Sequence, residues 1–190
     1  MISKKNILIN AGEEYLLKSV SSDDISLKYL KAINSGFIEN KSNTKSLNEL
    51  KKEINYRIIS EKHFHFGLYF ENELIGTSGI IRNAESRSVW TDLYNKYNTN
   101  INAVGVLIFD SKFKNKGLGS LLVWGACKLS HLNTGDIIYC AGIESENFIS
   151  QKCFSNNGFK IFRKYNQKIQ YYLDINDLDV PRIIRNYNVI

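Results

Sequence analysis

Residues 113–122 read FKNKGLGSLL, and the fold turns on what this stretch does between the apolar run VGVLIF (104–109) and the helix-like LLVWGACKLSHL (121–132). A strand that passes through a turn into a helix leaves the first helical N–H groups without intrahelical partners, at the end where the helix dipole is positive. Gly117 and Gly119 keep side chains out of an anion's way there, and Lys112, Lys114 and Lys116 add charge of complementary sign, weakened by screening. The glycine pair has a plainer use as well, since glycine relieves crowding where a strand meets a helix. No Lys-Ser/Thr pair follows the last glycine, which excludes a nucleoside-triphosphate loop. The third glycine and downstream acid of a dinucleotide site are missing too. What remains is a helix start suited to a diphosphate.

Working outward, Leu118, Leu121, Leu122, Ala126 and Leu129 recur at helical spacing, so one face of this helix packs on a sheet. GDIIYCAGI (135–143) reads as the next strand, and NFISQKCFSNNG (147–158) as a helix stopped by Gly158. FKIFRKYN and KIQYYLDI follow as a hairpin. Upstream, EEYLLKSV (13–20) is the first strand. Ser22 or Asp23 caps a helix over ISLKYLKAI that Gly36 stops, and Ser46 with Glu49 has capping-box spacing ahead of LKKEINYRII. HFGLYF and LIGTSGII flank the polar ENE as a strand pair. Residues 83–100 are too many for a tight hairpin loop; they form either a surface connection or a loop that shapes a substrate site.

The chain has 190 residues, 43% hydrophobic and 23% charged, which fits a single domain, here drawn over residues 1–173 with a tail over 174–190. The tail, with the only proline, Pro181, docks either on its own core or on a second subunit, so a homodimer stays open. No apolar run approaches the roughly 20 residues that span a bilayer, and the opening MISKKNILIN is too short for a secretory core. The expectation is cytoplasmic, without a membrane. Cys127, Cys140 and Cys153 are odd in number, lack metal-ligand spacing and sit in apolar segments, as buried reduced thiols do; no metal is expected. The net charge of +6 comes from lysines spread along the chain with no finger or basic-zipper pattern, so nucleic acid is not the expected partner.

A second motif sharpens the reading. KNKGLGSLL followed, after a helix and a strand, by NFISQKCFSNNGF resembles the GNAT superfamily of acyl-CoA-dependent N-acetyltransferases over roughly residues 64–173. The family's phosphate turn, Arg/Gln-x-x-Gly-x-Gly/Ala, is met by Lys114, Gly117 and Gly119, with lysine a departure at the first place. Its later helix is met by Asn147, Ser150, Phe154, Gly158 and Phe159. The resemblance implies an α/β (α+β) fold: a mixed, mainly antiparallel twisted sheet flanked by helices, with a V-shaped splay between the fourth and fifth strands. It implies acetyl-CoA as co-substrate and direct acetyl transfer to a primary amine. Leu107, Ile108 and Phe109 would pair with the pantetheine arm by strand addition. Lys114, Asn115, Lys116, Gly117, Leu118, Gly119 and Ser120 would cradle the pyrophosphate. Asn147, with Ser150 and Phe154 on the same helix, would bond the pantetheine, cap its helix, or both.

The family's usual proton carriers are replaced. Phe154 stands where a tyrosine donates, and Gly142 where a glutamate often acts as base. Water chains, a substitute residue, or binding without transfer would each account for this. Glu144, of the same strand parity as Gly142, is the candidate base, against the plainer reading of a solvated loop carboxylate. Tyr139 and Cys140 are read as buried packing. His63 and His65 share a strand face, which suits edge packing or, for His65, substrate contact or proton relay. Tyr69, Trp90 and Tyr94 either wall the acceptor pocket or pack. An amino sugar is the preferred acceptor; a protein N-terminus or small polyamine, and a noncatalytic acyl-CoA sensor, are the alternatives.

Overall fold

The computed structural model describes residues 5–35, 44–60, 62–84 and 88–190. The expected stop at Gly36 lies outside them. The strands are β1 (Ile7–Asn10), β2 (Glu14–Ser19), β3 (His63–Phe70), β4 (Glu73–Ile81), β5 (Ile101–Ile108), β6 (Ile138–Glu144), β7 (Lys160–Tyr165), β8 (Lys168–Asp174) and β9 (Asn186–Val189). The helices are α1 (Leu27–Ser35), α2 (Leu47–Ile59), α3 (Thr91–Tyr97), α4 (Leu118–Thr134) and α5 (Phe148–Ser155).

These strands form one sheet in the order β7-β8-β6-β5-β4-β3-β2-β1-β9. Every neighbouring pair is antiparallel except β5 and β6, which run parallel and pair only between Ile101–Ala103 and Ile138–Cys140 before they part. Counted from the strand at residue 13, these are the fourth and fifth strands, so the splay falls where it was expected.

Local chemistry explains the boundaries. At the start of α2, Glu49 N–H donates to Ser46 Oγ at 3.3 Å and Ser46 N–H to Glu49 Oε2 at 2.7 Å, the reciprocal box that the spacing predicted. Glu71 and Asn72 turn β3 into β4 with φ of 48° and 66°, the left-handed pair whose twist matches a tight hairpin. The first helix starts later than Ser22 or Asp23, because Ser22–Asp24 close into a 3-10 turn held by Ser21 N–H on Asp24 Oδ2 at 2.7 Å.

The long helix α4 lies on one sheet face against Phe66, Leu68, Ile80 and Val104, and buries Leu118, Leu121, Leu122, Val123 and Leu129. Each such side chain stabilises by roughly 1.5–3 kcal/mol, which secures the helix without help from its cap. Side chains alternate across a strand, so His65, between Phe64 and Phe66, points to the opposite face, where α1 and α2 lie. Residues 83–100 contain α3 and seat Trp90 and Leu93 on Ile101 and Ile138.

Residues 174–190 return across the molecule. Asp179 N–H donates to Asn157 C=O at 3.3 Å, Arg185 N–H to Asn10 C=O at 2.8 Å, and β9 pairs with β1, so this segment docks on its own core. It passes hard against Gly158, whose φ is +85° and where a Cβ would stand 2.1 Å from Asp177 C=O.

Candidate active site

Where β5 and β6 part, a cleft of about 690 Å³ opens on the face opposite α4. Its backbone wall follows from register. Ile108 stands opposite Gly76, and Phe109 N–H donates to Ile75 C=O at 3.3 Å. Alternate residues of an antiparallel strand bond the same neighbour, so Leu107 and Phe109 direct their N–H groups to β4, while Val106 and Ile108 direct theirs to the open side. Of the three strand residues expected to meet an extended ligand, Ile108 alone presents a free edge, and Val106, which the sequence reading passed over, joins it. Phe109 instead packs on the Tyr29 ring, with centroids 5.1 Å apart.

The cleft floor holds a buried polar group. His65 is 7% exposed; its Nε2 lies 3.2 Å from Tyr29 Oη, which accepts from Thr77 Oγ1 at 3.4 Å, and its Nδ1 has no partner. Burial pushes the His65 pKa down to about 4, with the Arg57 guanidinium adding to the effect against Glu53. Burial also raises the Tyr29 phenol above its ordinary range, so it keeps its proton. Above pH 6.5 the imidazole is neutral in both folded and unfolded chains. Below that, the unfolded chain takes up a proton that the folded one refuses until about pH 4. Stability therefore falls as pH drops through this window, by about 3 kcal/mol. Denaturant midpoints of wild type and His65→Gln, compared from pH 7 to pH 4, will run parallel above the ordinary histidine pKa and converge or cross below it. A constant difference throughout would show that His65 titrates normally.

Behind β5, Asp110 ties down the phosphate-type turn. Lys28 holds its carboxyl below the usual range, and its Oδ1 accepts from Lys112 N–H at 3.0 Å. Asn115 and Gly117 follow with φ of 61° and 78°, and Gly117 becomes the N-cap of α4 with no side-chain bond to it. Ser120 and Leu121 N–H turn back to Gly117 C=O, while those of Leu118 and Gly119 meet no acceptor among the described residues. A cavity of about 620 Å³ adjoins this end of the helix, bounded by Gly117, Ser120, Lys152 and Ser155 and by residues 179–183. Each glycine also has a packing reason. A Cβ on Gly119 would stand 2.9 Å from Cys153 Sγ of α5, and one on Gly117 3.1 Å from Ile183. Lys114 and Asn115 are exposed, and Lys116 lies over the Phe113 ring, 5.4 Å from its centre.

The other expected residues divide. Asn147 is the N-cap of α5, its Oδ1 accepting from Ser150 N–H at 3.0 Å. Phe154 is buried edge-on to Phe159, 4.9 Å between centroids, and lines neither cavity. Ser120 donates to Cys153 C=O at 3.4 Å. Glu144 shares the parity of Gly142, as expected, yet sits beyond the cleft lining with a 56% exposed side chain, and reaches the cleft only through its pair with Lys168 at 3.1 Å. Of the three aromatics, Trp90 lines the cleft, while Tyr69 and Tyr94 do not. No local pattern points to Arg57, Tyr29, Thr77 or Gln170, whose place in the lining depends on pairings distant along the chain.

No family model matches the sequence, and no curated protein sequence does. Solved structures do match. Mycobacterium smegmatis RimJ in complex with CoA-disulfide aligns at a TM-score of 0.68 and 10% identity, over 96% of this chain and 92% of that one. An aminoglycoside acetyltransferase, AAC(6')-Ib, with coenzyme A and kanamycin, aligns at 0.66 and 13%, over 86% and 96%. An acetyltransferase of the GNAT family from Streptococcus pneumoniae aligns at 0.57 and 15%, over 93% and 99%. The fold of this chain is the GNAT fold.

Proposed function

We propose that this chain, with its GNAT fold, is an acetyl-CoA-dependent N-acetyltransferase acting on the primary amine of a small molecule, an amino sugar by preference. The observation that carries the reading is the unpaired edge of β5 at Val106 and Ile108, continuous through Asp110 with the uncapped start of α4. An amide-bearing arm adds to such an edge as a strand would, and a diphosphate suits free N–H groups at a helix start. When bound, the thioester supplies an activated acyl carbonyl.

The chain's own groups do the rest. Val106 and Ile108 hold the arm by their backbone, and the N–H groups of Leu118 and Gly119 face the diphosphate, flanked by Lys114, Asn115 and Lys116. Asn147 fixes the start of α5. The attacking amine must be neutral, and its proton leaves through water in the open cleft, with the Lys168–Glu144 pair at its outlet. Phe154 and Gly142 contribute no proton carrier.

Titration calorimetry with acetyl-CoA, then thiol release on adding amines, tests this. Binding and amine-dependent release are expected. Binding without release on a broad amine panel would make the protein an acyl-CoA sensor, and no binding would end both readings.

A further inference from the structure

The cleft carries side-chain charge of one sign. Arg57 and Lys168 line it, and among the described residues no carboxylate does. The carboxylates that pair with them stand outside the lining, Glu53 with Arg57 along α2 and Glu144 with Lys168 at the outlet. Arg57 is the less compensated of the two cations. Glu53 accepts from Lys45 as well as from Arg57, so two positive groups share one carboxylate. Only Nη2 of Arg57 meets Glu53 among the described residues, and with the side chain 37% exposed the rest of its five-donor fork is open to a ligand.

The field of Arg57 reaches the cleft floor. Burial is the main cause of the shifts at His65 and Tyr29, and at both the Arg57 charge acts more strongly than the Glu53 charge. Such a field has two effects on an acceptor. It disfavours an ammonium and so favours the neutral amine that attack requires, in a site where Phe154 and Gly142 supply no base. It also gives no affinity to an acceptor whose only charge is positive, whereas an anionic group gains where the ammonium loses, and an arginine fork matches a carboxylate or phosphate by two parallel bonds.

Position separates the two cations. His65, on which Arg57 acts, belongs to β3 and Lys168 to β8, with β4, β5 and β6 between them, so the two ends of the cleft are roughly 20 Å apart. The free edge of β5, where the thioester arm is placed, is about 10 Å from β3. An anion at Arg57 and an amine at that edge therefore fit on one small molecule.

Building on the transferase reading, we infer that the acceptor is a small amine bearing a carboxylate or phosphate group, and that Arg57 binds this anion at the α2 end of the cleft. Polyamines and other multiply positive amines are unsuited to the same lining.

Thiol release from acetyl-CoA is measured with two matched pairs, glucosamine 6-phosphate against glucosamine and 4-aminobutyrate against butylamine, and with spermidine, for wild type, Arg57→Gln, Arg57→Lys and Lys168→Gln, alongside acetyl-CoA binding to each. In at least one pair the anionic member should exceed its counterpart at least tenfold in kcat/KM, with spermidine below it, and the pair that responds tells phosphate from carboxylate. Arg57→Gln should reduce this preference to under threefold through the KM of the anionic member, with coenzyme affinity unchanged. Arg57→Lys, which keeps the charge without the fork, should fall between. Lys168→Gln should retain the preference, since both members of a pair share one proton outlet. No release with either anionic amine, no preference within either pair, better use of spermidine, or a preference that survives Arg57→Gln or disappears with Lys168→Gln overturns the inference. Failure of wild type to bind acetyl-CoA would instead overturn the transferase reading on which it rests.

Discussion

Replacing Gly158 by alanine is expected to lower the melting temperature by roughly 10 °C, about 4 kcal/mol for a chain of this size. Two effects combine. The left-handed backbone at φ +85° costs a non-glycine residue roughly 1–2 kcal/mol. The added Cβ would also stand 2.1 Å from Asp177 C=O, a backbone atom with no rotamer to change, so the segment after β8 has to shift. Gly135→Ala separates the two effects, because Gly135 has φ +73° but nothing within 4 Å of a Cβ. It should lose only the conformational part, about 1 kcal/mol. Calorimetric melts of both variants decide the matter: equal shifts would mean that the Asp177 contact is of no consequence.

Val106→Pro should weaken acetyl-CoA binding at least about tenfold while leaving stability nearly intact. The N–H that proline removes belongs to the open side of β5, so the β4 ladder keeps its bonds, and the ring projects into the space that an added strand would occupy. Leu107→Pro is the mirror experiment. It removes an N–H directed at β4 and should destabilise the fold by about 3 kcal/mol or more. If Val106→Pro bound the coenzyme normally in calorimetry, the β5 edge would not be where the arm lies.

Features set by neighbours along the chain were legible in the sequence. The Ser46–Glu49 box, the β3–β4 turn, the stop at Gly158 and the glycine-led start of α4 each depend on a few consecutive residues, and each is present. What eluded sequence reading depends on distant pairing. The four-residue strands β1 and β9 are too short to show alternation, and β1 is an edge until β9, the last strand of the sheet, pairs with it. Leu107 and Val106 differ by a single step, yet which of them faces β4 is settled by a register that no local pattern records. His65 was read as edge packing or as a substrate contact or proton relay, and its burial against Tyr29, 36 residues away, has no local signature. Gly79, Gly105 and Gly142 stand in three separate strands, and line one cleft only because those strands are level. Glu144 shares the parity of Gly142 but stands one step further along β6, beyond the cleft lining.

The three-residue seam between β5 and β6 divides the sheet into blades of six and three strands. Asn102, fully buried, pins that seam through its Nδ2 on Ile138 C=O at 3.2 Å. Backbone pairing between the blades is thus confined to one short seam near Asn102, while side chains of both share a single core beneath α4, so a ligand bridging the gap beyond the seam links strands that no ladder joins.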